Sequence, residues 1–370
     1  MSQEEPIRVA QVMGKMRGGG VEAVVMNYYR HIDRSKVQFD FLVDSDSTLI
    51  PREEIEALGG RVFKIPPYQH VAEYQRELQR LFEQEGWRIV HSHINALSVF
   101  PLRAAKKAGV PVRIAHSHST SGKGEHVKNA LKTVLKTQSN RYPTYRFACS
   151  KFAGEWLFGK GADFEVVYNA IDLSRFRFNA GARAQARADL GLVGNQFAIG
   201  HVGRFTAQKN HAFLIDVFTE VVKRRDDAVL LLVGTGEAGA SVKALVDERG
   251  LTERVKFMGQ RNDVNRLYQA FDAFVLPSLY EGLCLVGVEA QVSGLPCLLS
   301  DSITREVDVT GECKFLPIDN PVVWADEINS LSPYSYDDRK SISSGLFADY
   351  NIDLQGKRLT RKYLDLYSRN

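Results

Sequence analysis

Two cations and two carboxylates in the second half of the chain have the types and spacing to handle a charged ligand. Gly203-Arg204-Phe205 is followed closely by Gln208-Lys209-Asn210. A glycine that ends an apolar run, then Arg, then Lys where a helix begins sets two cations beside free helix N–H groups. Arg offers phosphate oxygens a planar fork and Lys a point charge. The pattern reads as a diphosphate site able to neutralise charge growing on a departing nucleoside diphosphate. Further on, Pro277-Ser278-Leu279-Tyr280-Glu281-Gly282-Leu283 leads to Glu289-Ala290. Pro-Ser and Gly282 punctuate a loop after an apolar strand, and Leu283 to Val292 then reads as a helix. Glu281 falls in the loop and Glu289 roughly two turns into the helix. Carboxylates accept from sugar hydroxyls, one from the donor sugar and one from a ribose, while the N–H groups of Leu283, Cys284 and Leu285 face the same anion.

The first half offers different groups. Gly18-Gly19-Gly20 precedes a helix that holds Val21 and Glu22 in its first turn. Glycines allow close backbone approach and a helix start supplies donors, so a phosphate or sugar hydroxyl is expected there, against the plainer reading of a flexible connector. His91-Ser-His93 and His116-Ser-His118 each end a strand-like run. Residues two apart on a strand share a face, so each pair can aim both rings one way. Three readings are open for them: metal ligands, structural hydrogen-bonders, or contacts to sugar or phosphate by His116 or His118. Neither pair has a third ligand at a zinc-like spacing, so no metal is expected. Asp44-Ser-Asp46, a tempting metal motif, reads as turn chemistry.

These groups must be positioned by a regular scaffold. Apolar strand-like runs alternate with helical stretches throughout, the pattern of an α/β protein with mainly parallel sheets covered on both faces. The first half predicts strands at Ile7 to Val12, Phe39 to Val43, Arg61 to Ile65, Ile89 to His93, Val112 to Ala115 and Phe147 to Ser150. Helices are predicted at Val21 to Ile32, Glu53 to Leu58, Tyr74 to Glu85 and Leu97 to Lys107. The alternation restarts with strands at Phe197 to Val202, Ala228 to Val233, Val255 to Met258, Ala273 to Leu276 and Cys297 to Ser300. At 370 residues the chain is long enough for two cores. Domains are expected at 1–176 and 177–354, with a terminal helix over about 355–370 packing back on the first. In two Rossmann-like halves, ligands bind in a crevice outside the carboxyl ends of the strands, so the residues that matter should follow strands.

Composition narrows the classes. With 44% hydrophobic and 25% charged residues the chain is an ordinary globular one, and no apolar run approaches the roughly 20 residues of a membrane span. The polar start, Met-Ser-Gln-Glu-Glu-Pro, lacks the features of a secretory signal, so a cytoplasmic protein is expected. The 4 cysteines, Cys149, Cys284, Cys297 and Cys313, show no paired spacing and suit reduced thiols. A net charge of +4 does not argue for nucleic acid. Lys128, Lys132 and Lys136 align along one helical face flanked by Val127, Leu131, Val134 and Leu135. Such a cationic amphipathic face can rest on the anionic inner surface of a membrane, or be simply solvated. It lacks interleaved stacking aromatics, which speaks against nucleic acid.

Taken together the motifs resemble the retaining glycosyltransferases of family 4, which have the GT-B fold, particularly those that build bacterial capsular and extracellular polysaccharides. The matching features span nearly the whole chain. They are the glycine loop, the two His-Ser-His pairs, Val167-Tyr168-Asn169-Ala170-Ile171-Asp172, the Arg204 and Lys209 group, Val233-Gly234-Thr235-Gly236-Glu237, and the Glu281 and Glu289 pair. The resemblance implies that Arg204 and Lys209 hold the donor diphosphate, Glu289 the ribose and Glu281 the transferred sugar. It also implies that the backbone of Gly259-Gln260-Arg261 reads the base, that Gly203, Gly234 and Gly282 belong to the donor site, and that His116 or His118 contacts the donor sugar. Ala170 stands where members often have Gly. The activity implied is transfer of a hexose from a UDP-sugar, a co-substrate, to a saccharide or lipid-linked acceptor, with no cofactor. A nucleotide-sugar epimerase of the same fold and a catalytically silent nucleotide-sugar-binding subunit are the alternatives.

Overall fold

The computed structural model describes residues 5–118, 135–194, 196–332, 339 and 344–370. The chain divides into two units, the first comprising Met1–Asp172 with Asp349–Asn370 and the second Leu173–Ala348. Each is built on one parallel sheet. The first unit's strands are β1 (Ile7–Gly14), β2 (Val37–Asp44), β3 (Arg61–Ile65), β4 (Ile89–Ser92), β5 (Val112–Ser117), β6 (Tyr145–Ala148) and β7 (Glu165–Val166). They lie in the order β3-β2-β1-β4-β5-β6-β7. The second unit has β8 (Phe197–Val202), β9 (Ala228–Val233), β10 (Val255–Gly259), β11 (Ala273–Leu276), β12 (Cys297–Ser300) and β13 (Lys314–Leu316), in the order β10-β9-β8-β11-β12-β13.

The sequence explains these central strands directly. Strands β2, β8 and β9 are buried at every residue, as strands are when helices cover both faces of a parallel sheet, although β2 carries Gln38, Asp40 and Asp44. In the first unit Ala10, Val12, Leu42, Val90 and Ala115 pack on one face against Tyr74, Leu78, Phe82 and Leu102. Residues alternate across the sheet, so Gln11, His91, His93, His116 and His118 belong to the other face, with Val24, Val25 and Tyr28 of the helix Gly20–His31 and Leu359 and Tyr363 of the terminal helix. The terminal helix, Ile352–Arg369, reaches that position because Gly356 has no side chain: a Cβ there would sit 2.7 Å from the carbonyl oxygen of His31. In the second unit Phe197, Ile199, Leu230, Leu232, Val275 and Leu298 share one cluster with Trp324.

Several expected bounds shift. The strand expected at Phe147 to Ser150 runs Tyr145–Ala148, because Ser150 caps the helix Lys151–Phe158 through the N–H of Ala153. The helix expected over Leu97 to Lys107 begins as a 3-10 turn, Asn95–Ser98, before Val99–Lys107. Strands β7 and β13, of 2 and 3 residues, are too short for periodicity to find. The unit boundary falls between Asp172 and Leu173, against the expected 176/177. Among the described residues no helix is long and apolar enough to cross a membrane.

Candidate active site

In the second unit β8 and β11 are hydrogen-bonded neighbours, and the chain order runs outward from them in opposite directions. This is the sheet's switch point, where successive connections diverge and leave room at the carboxyl edge. The loops carrying the predicted residues leave from there. After β8, the N–H of Gly203 donates to Val233 O at 2.9 Å, and that of Phe205 to Thr235 O at 3.0 Å, lashing this loop to the one after β9. The two backbones come so close that a Cβ on Gly234, with φ +134°, would sit 2.1 Å from Gly203 O. Gly234 is thus a support for the Gly203 loop.

A 3-10 turn, Ala207–Lys209, and Asn210 in the left-handed region lead into the helix His211–Val221. The turn is tied to the loop after β11. Leu279 N–H donates to Gln208 O at 2.8 Å, and Gln208 Nε2 donates to Tyr280 O at 2.9 Å and to Glu281 Oε2 at 3.1 Å. Lys209 Nζ donates to Glu281 Oε1 at 2.7 Å, in a pair only 14% and 11% exposed. Lys209 and Glu281, predicted from separate motifs, therefore form one ion pair held by Gln208. Arg204 beside them is exposed, and no ion pair or hydrogen bond to its guanidinium is present among the described residues.

The helix expected to begin at Leu283 begins at Leu285 and runs to Val292. Its cap, Cys284, is extended and provides no side-chain acceptor, so its first N–H groups keep their positive potential. Burial holds the Cys284 thiol up at about 12, which removes it as a nucleophile at neutral pH. Glu289 lies a little over one turn into the helix, not two, because the helix starts later. Its Oε2 accepts from the hydroxyl of the fully buried Tyr268 at 2.9 Å. Burial raises the carboxyl of Glu289 to about 7, while the Tyr268 hydroxyl and the charges of Arg175 and Lys209 pull it back. Gln260 and Arg261, after β10, are exposed, and the Arg261 guanidinium is engaged by Asp263 at 2.7 Å and 2.8 Å.

The first unit has its own switch point between β1 and β4. The glycine loop follows β1, but its donors are not turned outward. The carboxylate of Glu22 accepts from the N–H groups of Arg17, Gly18 and Gly19 at 2.8, 2.5 and 2.8 Å. A side chain of the same helix thus fills the place expected for a phosphate at Gly18 and Gly19, a reach-back like that of a capping box. No hydrogen bond to the N–H of Gly20 is present among the described residues.

At the carboxyl ends of β4 and β5 the two His-Ser-His pairs merge into one cluster. His91 Nε2 meets His116 Nδ1 at 3.0 Å, and His93 Nδ1 meets His118 Nε2 at 2.9 Å. His91 Nδ1 lies 2.6 Å from the Tyr363 hydroxyl, and His93 Nε2 lies 2.8 Å from Gln11 Oε1. All four rings are buried. Burial lowers His91, His93 and His116 well below the usual histidine range and His118 to about 4, so the rings are neutral at physiological pH. Donor nitrogens of His91, His93 and His116 lie within 4.8 Å of one another, close enough to hold a metal ion. A cation there would have to break the hydrogen bonds that already join the rings in pairs.

Asp46, in the turn after β2, pairs with Lys15, and Asp44 is buried and raised to about 6 by burial and by Asp46. Lys128 and Lys132 lie outside the described residues. The Lys136 ammonium sits 5.0 Å over the Trp156 ring. The four cysteines are free thiols. No role is predicted from the sequence for Gln208, Tyr268, Gln11 or Tyr363. Gln208 stood inside the motif Gln208-Lys209-Asn210, and Gln11, like Arg8, is a polar residue inside the strand-like run Ile7 to Val12.

Comparison with known proteins supplies the wider setting. Residues 196–332 match the family described as glycosyl transferases group 1, and residues 19–170 match a glycosyl transferase 4-like domain. EpsF of Bacillus subtilis (strain 168), which carries a glycosyltransferase name, is 37% identical over 94% of this chain and 97% of its own. The Escherichia coli UDP-Gal:alpha-D-GlcNAc-diphosphoundecaprenol alpha-1,3-galactosyltransferase is 31% identical over 60% of each chain. The structure of HepE from Anabaena in complex with UDP-glucose aligns with a TM-score of 0.79 at 18% identity, covering 97% of this chain and 99% of HepE.

Proposed function

We propose that this chain, which belongs to the group 1, family 4-like glycosyltransferases with the GT-B fold, moves a hexose from a UDP-sugar to a saccharide acceptor with retention at the anomeric carbon. The observation that carries the reading is the Lys209, Glu281 and Gln208 cluster at the β8/β11 switch point, with exposed Arg204 beside it. The diphosphate is assigned to Arg204, Lys209 and the N–H groups of Leu283, Cys284 and Leu285. These groups stabilise the negative charge that develops as the bond from the anomeric carbon to the diphosphate oxygen breaks. The ribose is assigned to the Glu289 carboxylate and the base to the backbone around Gln260 and Arg261. Glu281, paired with Lys209, accepts from a hydroxyl of the sugar, and His118, with His116, offers hydroxyl-binding nitrogens in the first unit.

Glu281 is engaged by Lys209 and Gln208, which suits a positioning carboxylate better than a nucleophile. In the retaining reaction the acceptor oxygen therefore bonds to the anomeric carbon on the face the diphosphate leaves. Its proton passes to a leaving phosphate oxygen. The protein contributes orientation and charge stabilisation.

UDP as the nucleotide is supported by the relative named for UDP-Gal and by the HepE complex with UDP-glucose. A lipid-linked acceptor, in the building of a capsular or extracellular polysaccharide, is supported by the diphosphoundecaprenol in that relative's name. The cationic face expected from the sequence at Lys128, Lys132 and Lys136, of which Lys136 alone is among the described residues, would bring the enzyme to the anionic membrane surface that bears such an acceptor. The test is a panel of UDP- and GDP-sugars with and without saccharide acceptors, followed by release of nucleoside diphosphate and by NMR of the product's anomeric proton. The expected result is acceptor-dependent release of UDP from one UDP-hexose, with the donor's anomeric configuration kept. An isomerised nucleotide sugar without acceptor would identify an epimerase instead.

A further inference from the structure

The histidine cluster is one hydrogen-bonded chain with a direction. It runs from His118 through His93, Gln11, Tyr363 and His91 to His116. The Gln11 carboxamide lies in the middle and is asymmetric. Its oxygen faces His93 Nε2 at 2.8 Å, and its nitrogen donates to the Tyr363 hydroxyl at 3.3 Å. An oxygen can only accept, so His93 carries its proton on Nε2 and leaves Nδ1 as a lone pair. That lone pair faces His118 Nε2, which must then be the protonated nitrogen, and His118 Nδ1 is left as an acceptor. On the other side the Tyr363 oxygen already accepts from Gln11, so its hydroxyl proton goes to His91 Nδ1. His91 donates from Nε2 to His116 Nδ1, which puts the His116 proton on Nε2. The two ends of the chain thus have opposite character, an acceptor at His118 Nδ1 and a donor at His116 Nε2.

Both ends are buried, and neither has a hydrogen-bond partner among the described residues. Asn169 lies beside His118 and raises the proton affinity of its ring. The His116 and His118 rings stack with centroids 3.9 Å apart, which sets the two ends of the chain side by side. An acceptor at His118 Nδ1 and a donor at His116 Nε2 together suit a hydroxyl, which both donates and accepts.

We infer that Gln11 is a positioning residue: acting through His93, and through Tyr363 and His91, its amide fixes the tautomers of His118 and His116 so that they bind a hydroxyl of the sugar substrate. The inference rests on the reading of His118 as a sugar contact given above. It goes beyond that reading by naming what sets the polarity of the contact.

Long-range proton-nitrogen NMR of the histidine rings reads the tautomers directly. The unaltered protein should show His93 and His118 protonated on Nε2. In Gln11→Leu the constraint is lost, His118 gains an Nδ1–H population, and kcat/KM falls about tenfold, the effect of one acceptor turned into a donor. Gln11→Glu with its carboxyl protonated keeps one acceptor and one donor in the same places, and restores both the tautomer and the rate. Identical His118 tautomers in the unaltered protein and Gln11→Leu overturn the inference, as does an Nδ1–H signal in the unaltered protein. If His118→Ala abolishes transfer and Gln11→Leu does not slow it, the positioning role falls while the sugar contact stands. Unchanged transfer in both variants removes the contact itself.

Discussion

Replacing Lys209 with methionine separates its charge from its packing. Its aliphatic stem lies against Gly203, with Cγ, Cδ and Cε 3.0 to 3.2 Å from where a Cβ on that glycine would be, and the unbranched thioether keeps most of that contact. What Lys209→Met removes is the ammonium 2.7 Å from Glu281 Oε1. If that ammonium also binds the donor diphosphate, the loss is one charge-assisted hydrogen bond, about 1.5 to 3 kcal/mol, or about 10- to 150-fold in the Kd for UDP. The fold loses something as well, since Glu281, only 11% exposed, keeps Gln208 alone as a partner. About 2 kcal/mol is expected for that. Titration calorimetry with UDP measures the first quantity and denaturant unfolding the second. Lys314→Met is the control: it removes the same charge from the same unit, where Lys314 pairs with Glu327 and is 50% exposed. Its UDP affinity should stay within about twofold of the unaltered protein, because exposed charges far from the ligand are screened. Unchanged affinity in Lys209→Met, or an equal loss in Lys314→Met, would refute the assignment of Lys209 to the diphosphate.

Burial holds Glu289 at about 7, so the carboxylate proposed to accept from ribose hydroxyls fills in as pH rises through that value; UDP affinity should climb over that range, and Glu289→Gln should flatten the climb. In the unliganded protein the sign reverses: the raised value stabilises the fold fully below the ordinary 4.5, and that contribution is lost as pH rises through about 7, which pH-dependent unfolding of the two proteins compares. Gly234→Ala drives a Cβ to 2.1 Å from Gly203 O at a φ of +134°, so it should cost a few kcal/mol and weaken UDP binding without touching the ligand. Unfolding midpoints and UDP titration check both effects.

Much of the scaffold was legible because parallel sheets buried on both faces write themselves as apolar runs. Every strand expected in the second unit, from Phe197–Val202 to Cys297–Ser300, is a strand in the structure. The switch point could not be read directly, since strand order is a property of pairing, yet the residues chosen for their chemistry follow β8 and β11, the two strands that form it. Polar partners supplied from elsewhere in the chain were out of reach. Tyr268 reaches Glu289 from another helix, and Tyr363 reaches His91 from the terminal helix. The glycine loop misled for a local reason, because Glu22 was read only as part of a helix start, whereas its carboxylate takes the very donors expected to meet a ligand.

The most direct measurement of the central claim is a structure of the protein with UDP bound. The diphosphate is expected at the β8/β11 switch point, its oxygens within hydrogen-bond distance of Lys209 Nζ, the Arg204 guanidinium and the N–H groups that begin the helix Leu285–Val292, with a ribose hydroxyl on Glu289. A diphosphate bound elsewhere, with Lys209 still paired only to Glu281, would contradict it.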